Sequence, residues 1–360
     1  MNKTPGETKF IGRYEILGEL GRGAMGVVLL ARDPILERDV ALKFLRSDLR
    51  LAPGEREALM QRMRQEARAI ARVTHPGIVS LHDLGESDVE GVYLVFERVI
   101  GPTLEEALHR GRLTREGAAR LARELGEGLT AAHARGVLHR DMKPGNVILT
   151  GEGAKIADFG VARLPDSTLT KAGARVGTPA YAAPEAIRQG IHTPESDQFS
   201  LAATLYEAVS GQRAFAGDDA VTVAKKIEEQ EALPVARRLH FPERVDQVLK
   251  RGLAKDPKQR FPSCAAFGVA LSEALVGARD IQPTLPDHRS LIQIDRQEKR
   301  QRTVSAALWL LLGALLAAAA SRLLPEVDPR LPGSTPEATE RRAEPLPPPR
   351  RPAYISPVPE

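Results

Sequence analysis

The sequence predicts an α+β protein of two lobes, a small β-rich lobe followed by a larger α-helical lobe, with one transmembrane helix near the C-terminus. Three observations support this architecture. Short β-branched runs with one interposed helical stretch fill residues 14–100, helical patterns dominate from Thr103 to about residue 272, and residues 303–321 are apolar and uncharged. A mainly β segment followed by a mainly α segment is typical of the α+β class.

Shifts in composition along the chain predict its organisation. We expect an N-terminal tail (1–11), a folded domain (12–272) with lobes of about 12–100 and 101–272, a linker (273–302), the apolar helix (303–321) and a disordered tail (322–360). The region from Pro325 onward holds 11 of the 27 prolines and few large apolar residues. Such a segment cannot bury enough surface to offset the entropy lost on ordering.

The bulk composition limits the classes of function. Apolar residues make up 42% and charged residues 27%, which is ordinary for a soluble globular protein. The net charge of +4 is small for this length, so we expect no nucleic-acid partner. Cys264 is the single cysteine, so it can form no intramolecular disulfide. Residues 1–12 lack an apolar stretch and are not typical of a secretory signal, which favours a cytoplasmic main domain.

The apolar run at 303–321 predicts a membrane-spanning helix in contact with lipid. Its nineteen residues would form a helix of about 28 Å, close to the thickness of a hydrocarbon core. A buried core helix and a segment that binds a partner protein are the alternatives. Basic residues are more frequent before the run than after it: Arg289, Arg296, Lys299, Arg300 and Arg302 against Arg322, Arg330 and Arg341. This asymmetry predicts a single-pass protein of the inner (cytoplasmic) membrane with its large domain in the cytoplasm.

A glycine pattern near the N-terminus predicts a phosphate-binding loop. Gly21, Gly23 and Gly26 fit the spacing Gly-x-Gly-x-x-Gly, which lets backbone amides approach phosphate oxygens. A dinucleotide-binding turn carries the same glycines but opens a helix. Here residues 27–30 are Val-Val-Leu-Leu and continue as a strand, which favours a hairpin over a nucleotide.

Lys43 ends the apolar run Val40-Ala41-Leu42 and could pair with nucleotide phosphates. Glu66, on the helical stretch of the small lobe, is its expected ion-pair partner, although Glu66 taken alone could equally be a surface residue.

Polar residues framed by apolar runs mark a candidate catalytic centre. Asp141, Lys143 and Asn146 lie between Val137-Leu138 and Val147-Ile148-Leu149, and Asp158 follows another apolar pair, Ile156-Ala157. Two carboxylates, an amide and a lysine suit phosphoryl transfer, which needs charged phosphate oxygens neutralised and a hydroxyl held in line.

Together these motifs resemble the eukaryotic-like (Hanks-type) serine/threonine protein kinases of bacteria, of the single-pass membrane type, over about residues 12–272. The resemblance implies the bilobal protein kinase fold and ATP-dependent transfer to serine and threonine hydroxyls of proteins in signal transduction. It implies Mg²⁺, with Mn²⁺ as an alternative, held by Asn146 and Asp158. Asp141 would accept the proton of the substrate hydroxyl, and Lys143 would contact the γ-phosphate.

The same resemblance assigns the nucleotide pocket and several supporting residues. Val28 and Ala41 would enclose the adenine, and the backbone of Glu97 and Val99 would bind its edge beside Phe96. His139 would pack beneath Phe159, in an apolar spine with Ile70 and Leu81, rather than act as a base. Glu185 would be buried against Arg260, and Asp197 would brace the catalytic loop.

The sequence also suggests how the activity is regulated, and it leaves a rival function to be tested. Ser167, Thr168 and Thr170 are candidate autophosphorylation sites, and we expect phosphate on Thr170, or next on Thr168, to pair with Arg140. The alternative is that these are solvated hydroxyls. A pseudokinase that only binds its partners is the rival function, and it would be expected to lack one of four residues (Lys43, Asp141, Asn146, Asp158), all of which are present. A homodimer is a candidate assembly.

Overall fold

The small lobe is built on a six-stranded antiparallel sheet. The computed structural model describes residues 9–23, 26–44, 53–87, 91–159 and 179–277. The strands are β1 (Phe10–Ile11), β2 (Tyr14–Gly23), β3 (Gly26–Asp33), β4 (Arg38–Phe44), β5 (Leu81–Ser87) and β6 (Gly91–Glu97), and they lie in the order β1-β2-β3-β4-β6-β5. Helix α1 (Pro53–Ile70) follows β4 in the chain.

The two faces of this sheet have different partners because side chains alternate along a strand. Val40, Leu42 and Phe44 of β4 are buried with Tyr14 and Val95 in a cluster that belongs to the small lobe. The alternate residues of β4 project to the other face. This face adjoins the main core, because Leu94 and Phe96, the cross-strand neighbours of Lys43 and Ala41, pack in the cluster shared with the helical lobe.

The second lobe is mainly helical. Its helices are α2 (Leu104–Leu108), α3 (Arg115–His133), α4 (Pro184–Gln189), α5 (Pro194–Ser210), α6 (Ala220–Glu229), α7 (Ala236–Leu239), α8 (Glu243–Gly252) and α9 (Cys264–Val276). A 3₁₀ turn (Pro144–Asn146) leads into a two-stranded antiparallel ladder of β7 (Val147–Leu149) and β8 (Ala154–Ile156). A second 3₁₀ turn covers Pro257–Gln259.

Helix α5 lies at the centre of this lobe, with side chains buried on all of its faces. Helices α3 and α9 approach each other closely because glycines lie at their contact. A Cβ added at Gly126 would come within 2.6 Å of the carbonyl oxygen of Cys264, and one at Gly268 within 2.2 Å of the carbonyl oxygen of Ala122. Side-chain caps fix the helix starts, since the hydroxyls of Thr114 and Ser263 accept backbone N–H groups that would otherwise lack a partner.

A bidentate ion pair joins α4 to the segment that follows α8, as the sequence led us to expect. The guanidinium of Arg260 donates to Glu185 Oε1 at 2.7 Å and to Oε2 at 2.9 Å. Arg260 is only 3% exposed. Burial by itself raises the pKa of Glu185, but the hydrogen bonds and charge of Arg260, together with hydrogen bonds from the Glu185 backbone and from Ser196, outweigh it and leave the pKa below its ordinary value.

The described residues confirm two lobes of the predicted composition, the first β-rich and the second helical. Helix α9 runs to Val276, past the expected domain end at residue 272. The predicted transmembrane segment at 303–321 lies outside the described residues, as do the tails at 1–8 and 322–360 and most of the predicted linker. Within the ranges that are described, no helix has the length and apolar character needed to cross a bilayer.

We predict that Arg260→Ala lowers the free energy of unfolding by roughly 3–5 kcal/mol, because the carboxylate of Glu185, only 13% exposed, loses the cation that neutralises it. Urea unfolding followed by circular dichroism measures the change. The matched control is Lys250→Ala, which removes a pair with Glu231 in which both side chains are 68% exposed. That control should change the free energy by no more than about 0.5 kcal/mol. Equal effects of the two substitutions would contradict the importance of the buried pair.

Candidate active site

The glycine pattern lies in the hairpin between β2 and β3. Gly21 is paired with Val28, and Gly23 with Gly26. The chain continues from Gly26 as a strand, so the hairpin interpretation is confirmed and a dinucleotide-binding turn is excluded. Gly26 has a φ of +141°, a backbone conformation that favours glycine. Residues 24 and 25 lie outside the described residues.

Lys43 of the first lobe forms an ion pair with Asp158, which follows β8 in the second lobe. Its ammonium lies 2.7 Å from Asp158 Oδ1, and Lys43 as a residue is 7% exposed. A cation this far from water needs a counter-charge nearby. Asp158 can supply one because its backbone has a φ of +59°, which turns the chain sharply after β8. The structure therefore joins a sheet residue of the first lobe to a carboxylate of the second.

The predicted ion pair between Lys43 and Glu66 was wrong for this structure. Glu66 lies instead against Arg140, with 3.1 Å between its Oε1 and a guanidinium nitrogen. Both partners are partly shielded, at 22% and 28% exposure. The physical reason is that Asp158 already neutralises Lys43, while Arg140, on the catalytic loop, offers Glu66 a cation of its own. Each charge in this group of four is thus paired.

Asp141 is the centre of a compact set of polar groups, as the sequence predicted. Lys143 Nζ donates to Asp141 Oδ2 at 2.8 Å. The amide nitrogen of Asn146 donates to the main-chain oxygen of Asp141 at 2.8 Å and to Oδ2 at 3.2 Å. The Asp141 side chain is 20% exposed, so it can reach a group brought from solvent.

Asp197 holds the catalytic loop in place. Its Oδ2 accepts the backbone N–H of His139 at 2.7 Å and a ring nitrogen of His133 at 2.8 Å, and its Oδ1 accepts the backbone N–H of Arg140 at 2.8 Å. Burial by itself raises the pKa of Asp197, but the hydrogen bond from His133 and the other neighbours outweigh it and keep the pKa below its ordinary value. The carboxylate therefore stays ionised at neutral pH.

His139 has the structural place that the sequence suggested. Its ring lies 4.7 Å from that of Phe159, centroid to centroid, and the residue is fully buried. Its Nδ1 accepts the backbone N–H of Asp141 at 3.2 Å, so Nε2 must carry the proton that it shares with the carbonyl oxygen of Ala157 at 2.9 Å. Burial lowers the pKa of His139, which keeps the ring neutral. Its unprotonated Nδ1 is already bonded to the N–H of Asp141 and the residue is fully buried, so it is not placed to take a proton from a substrate. Ile70 lies in the same hydrophobic cluster as Phe159, with Leu81 packed against that cluster.

The residues expected around adenine lie on one face of the sheet and at its end. Val28 is the cross-strand neighbour of Lys43, and Ala41 is the neighbour of Phe96. The backbone N–H of Glu97 donates to the carbonyl oxygen of Ser80. For Val99 we find no backbone hydrogen bond in the part of the chain that is described, and both of its backbone groups suit a purine edge.

A divalent cation fits Asn146 and Asp158. Both N–H groups of the Asn146 amide are directed at Asp141, which leaves its oxygen as a ligand, and Asp158 offers a carboxylate that is 38% exposed. No group of three or more His, Cys, Asp or Glu that could hold a metal occurs among the described residues. Mg²⁺ usually takes one or two protein ligands and completes its shell with water and phosphate. The pair therefore suits a cation that is bound together with a nucleotide.

Sequence reasoning missed two contributors. His133, at the end of α3, shares Asp197 with the catalytic loop, and no short motif points to it. Lys155 of β8 lies 2.6 Å from Glu97 Oε1, and this pair ties the end of β6 to the second lobe. The sequence does contain a signal for Lys155, because a basic residue between the apolar residues Ala154 and Ile156 is expected to lie on the opposite face of the strand. The candidate phosphorylation sites Ser167, Thr168 and Thr170 lie outside the described residues and stay predictions.

Comparison with known proteins agrees with this geometry. Residues 14–269 match the protein kinase domain family. The serine/threonine-protein kinase PknA of Mycobacterium tuberculosis is 40% identical over 280 residues, which cover 76% of this chain and 64% of the relative. PknB of the same organism is 37% identical over 262 residues, 70% of this chain and 41% of the relative.

A solved structure is similar as well. The crystal structure of the Mycobacterium tuberculosis PknI kinase domain aligns with a TM-score of 0.61 and 27% identity, over 75% of this chain and 99% of that one. The chain thus spans less than two-thirds of the length of the curated relatives PknA and PknB, whereas it covers nearly all of an isolated kinase domain.

Proposed function

Because this chain belongs to the protein kinase family, we propose that it transfers the γ-phosphate of ATP to serine and threonine hydroxyls of proteins in bacterial signal transduction. The observation that carries the proposal is the meeting of three separate chain segments at one place. The pair of Lys43 with Asp158 adjoins the catalytic loop, on which Asp141 is bonded to Lys143 and Asn146. The similarity to two serine/threonine kinases supports the choice of acceptor.

Each residue has a task that its position allows. Asp141 accepts the proton of the acceptor hydroxyl, since its carboxylate is partly exposed and held by two donors. Lys143 offsets negative charge at the γ-phosphate, and Lys43, on strand β4 of the small lobe, orients the α- and β-phosphates. The hairpin of β2 and β3 would cover the phosphates with its backbone amides.

We assign the cation site to Mg²⁺, with Mn²⁺ as the alternative, on Asn146 and Asp158. When bound, the ion neutralises charge on the phosphate oxygens. Oxygen ligands with few protein carboxylates favour these hard ions over zinc or copper. The proposal does not depend on which of the two is used in the cell.

The position of the chain in the cell is a further part of the proposal. We propose that residues 303–321 cross the inner membrane once and leave the kinase domain in the cytoplasm, on the strength of the uncharged run and the excess of basic residues before it. Protein substrates would then be reached at the membrane surface. A homodimer is compatible with this arrangement.

The transfer reaction has a direct test. With labelled ATP, a divalent cation and a generic protein substrate, Asp141→Asn should lower the rate by about 10²- to 10⁴-fold, because the base that takes the proton is lost. Lys43→Met should also reduce transfer strongly. Lys250→Met, at an exposed position far from this chemistry in the chain, is the control and should retain the full rate. Equal rates for the wild type and Asp141→Asn would mean that the chain is not this enzyme, and binding of ATP without transfer would indicate a pseudokinase.

Autophosphorylation of the loop after Asp158 is the second expectation. We expect phosphate on Thr170, or next on Thr168, with Ser167 as a further candidate, when the wild-type protein is incubated with ATP, and none when Lys43→Met is treated identically. Arg140 is the cation that would receive the phosphate, in exchange for Glu66. Peptide mass spectrometry reads out the sites. Active wild-type protein without phosphate at any of the three positions would rule out this mode of control.

Membrane insertion is tested by fractionation. The full chain should remain in the membrane pellet after extraction with high salt and with carbonate, because a spanning helix is held by apolar surface and not by charge. The double variant Leu311→Arg/Leu315→Arg should move to the soluble fraction, since each arginine at the centre of a span costs about 2.5–3.5 kcal/mol. Release of the unaltered chain by carbonate would instead support a partner-binding segment.

A further inference from the structure

Two arginines, one before helix α3 and one at its start, lie against a later part of the chain. The guanidinium carbon of Arg112 lies 5.9 Å from the centre of the Phe241 ring, and that of Arg115 lies 4.7 Å from it. Arg115 also donates a hydrogen bond to the main-chain oxygen of His240. The surface at the start of α3 therefore continues into the segment that follows α7.

A third segment connects the same surface to α7 itself. A Cβ added at Gly211 would lie 3.5 Å from the Cβ of Arg112, and the next residue, Gln212, accepts a hydrogen bond from Arg238. Arg237 precedes Arg238 on this short helix, and both are exposed. Four arginines thus gather on one side of the helical lobe, and we call them the arginine cluster: Arg112, Arg115, Arg237 and Arg238.

The charge around the arginine cluster is mostly of one sign. The segments 109–116, 211–213 and 236–244 hold seven arginines against two glutamates, Glu116 and Glu243. The whole chain is far more even, with 51 lysines and arginines against 47 acidic residues. The small net charge of the protein therefore conceals a basic region at this place.

The cluster is not neutralised within the part of the chain that the structure describes. None of its four guanidinium groups forms an ion pair with a carboxylate there. Asp246 of α8 instead accepts the backbone N–H groups of Val235 and Ala236, at 2.7 and 3.1 Å. A guanidinium has five N–H donors, so stacking on Phe241 leaves most of them for a ligand. The cluster can therefore bind several negatively charged oxygens at once.

The arginine cluster lies beside the place where the helical lobe ends. Nη2 of Arg244 lies 3.9 Å from Oε2 of Glu273, in the last turn of α9. Arg244 comes three residues after Phe241, a separation of at most about 11 Å. Helix α9 ends at Val276, and 26 residues separate it from the apolar run at 303–321. The chain thus leaves the lobe close to the cluster and leads to the segment that we propose to cross the membrane.

We propose that the arginine cluster binds anionic lipid headgroups and holds the helical lobe against the cytoplasmic surface of the membrane. The planar guanidinium matches a lipid phosphate through two parallel hydrogen bonds. Each basic residue close to an anionic bilayer strengthens binding about fivefold. A surface next to the attachment point meets headgroups at a high effective concentration, which favours lipid over a soluble anion. The inference extends the proposed membrane location and does not depend on catalysis.

Arginine labelling in nanodiscs tests the proposal. The full chain is placed in discs of phosphatidylcholine alone or with about 30% phosphatidylglycerol, treated briefly with phenylglyoxal and analysed by peptide mass spectrometry. With phosphatidylglycerol, labelling of Arg112, Arg237 and Arg238 should slow by about threefold to tenfold, because headgroups cover the guanidinium groups. High salt should remove this protection. Arg135 should label equally in both discs, since α3, about 28 Å long, separates it from Arg115.

A pair of matched variants assigns the protection to the cluster. Arg112→Gln/Arg238→Gln removes two charges and should weaken lipid binding by about 25-fold, so that Arg237 labels at the same rate in both discs. The control is Arg72→Gln/Arg135→Gln, which removes two exposed charges at the other end of α3, where Arg135 donates to the carbonyl oxygen of Arg72 at 3.4 Å. This control should keep the protection of Arg237. Both variants should retain the wild-type rate of phosphate transfer in neutral discs.

Equal labelling of the cluster in the two kinds of disc would overturn the inference, and this comparison on the wild-type chain needs no substitution. Protection by inorganic phosphate or by an oligonucleotide in neutral discs, without protection by phosphatidylglycerol, would overturn it as well. A chain that does not enter discs is mixed with vesicles of the same two compositions, so failure of the predicted span is distinguished from failure of the cluster. Absence of phosphate transfer would contradict the proposed function and leave the labelling result unchanged.

Discussion

The hydrogen bonds of Asp197 are the interaction on which the site depends. Arg140 has a φ of +64°, a conformation that a residue with a side chain adopts only when its surroundings impose it. The buried carboxylate imposes it by accepting the N–H groups of both His139 and Arg140. Because Asp197 belongs to the buried helix α5, the position of the catalytic loop is fixed by the core of the large lobe. Asp141 is the next residue in the chain, so its position is fixed in the same way.

A second constraint is that each charged side chain around Lys43 and Arg140 needs a partner of opposite charge. Lys43 has Asp158 and Glu66 has Arg140. A change to the predicted pair of Lys43 with Glu66 would need new partners for Arg140 and Asp158. The proposed function supplies both, since a phosphate on the loop suits the guanidinium and a nucleotide-bound cation suits the carboxylate. The observed pairing and the predicted one are thus two arrangements of the same four charges.

The parts of the site that the sequence predicted are those with local geometry. The loop from Asp141 to Asn146 closes on itself over a few residues, so its motif specifies its hydrogen bonds almost directly. The hairpin of the glycine pattern is equally local. The partner of Glu66 was mispredicted because it depends on where a helix lies relative to a loop 74 residues further along the chain. Contacts between residues this far apart in the chain depend on how the helices and loops pack, and a single sequence contains no motif that predicts them. The contact of His133 with Asp197 is another example.

The most direct test of the account is a crystal structure of the full chain with a non-hydrolysable ATP analogue and Mg²⁺. We predict that Lys43 contacts the α- or β-phosphate, that Asn146 and Asp158 bind the cation, and that Asp141 faces the terminal phosphate across a space that fits a hydroxyl. A nucleotide bound elsewhere, or one that any of these four side chains fails to approach, would contradict the central claim.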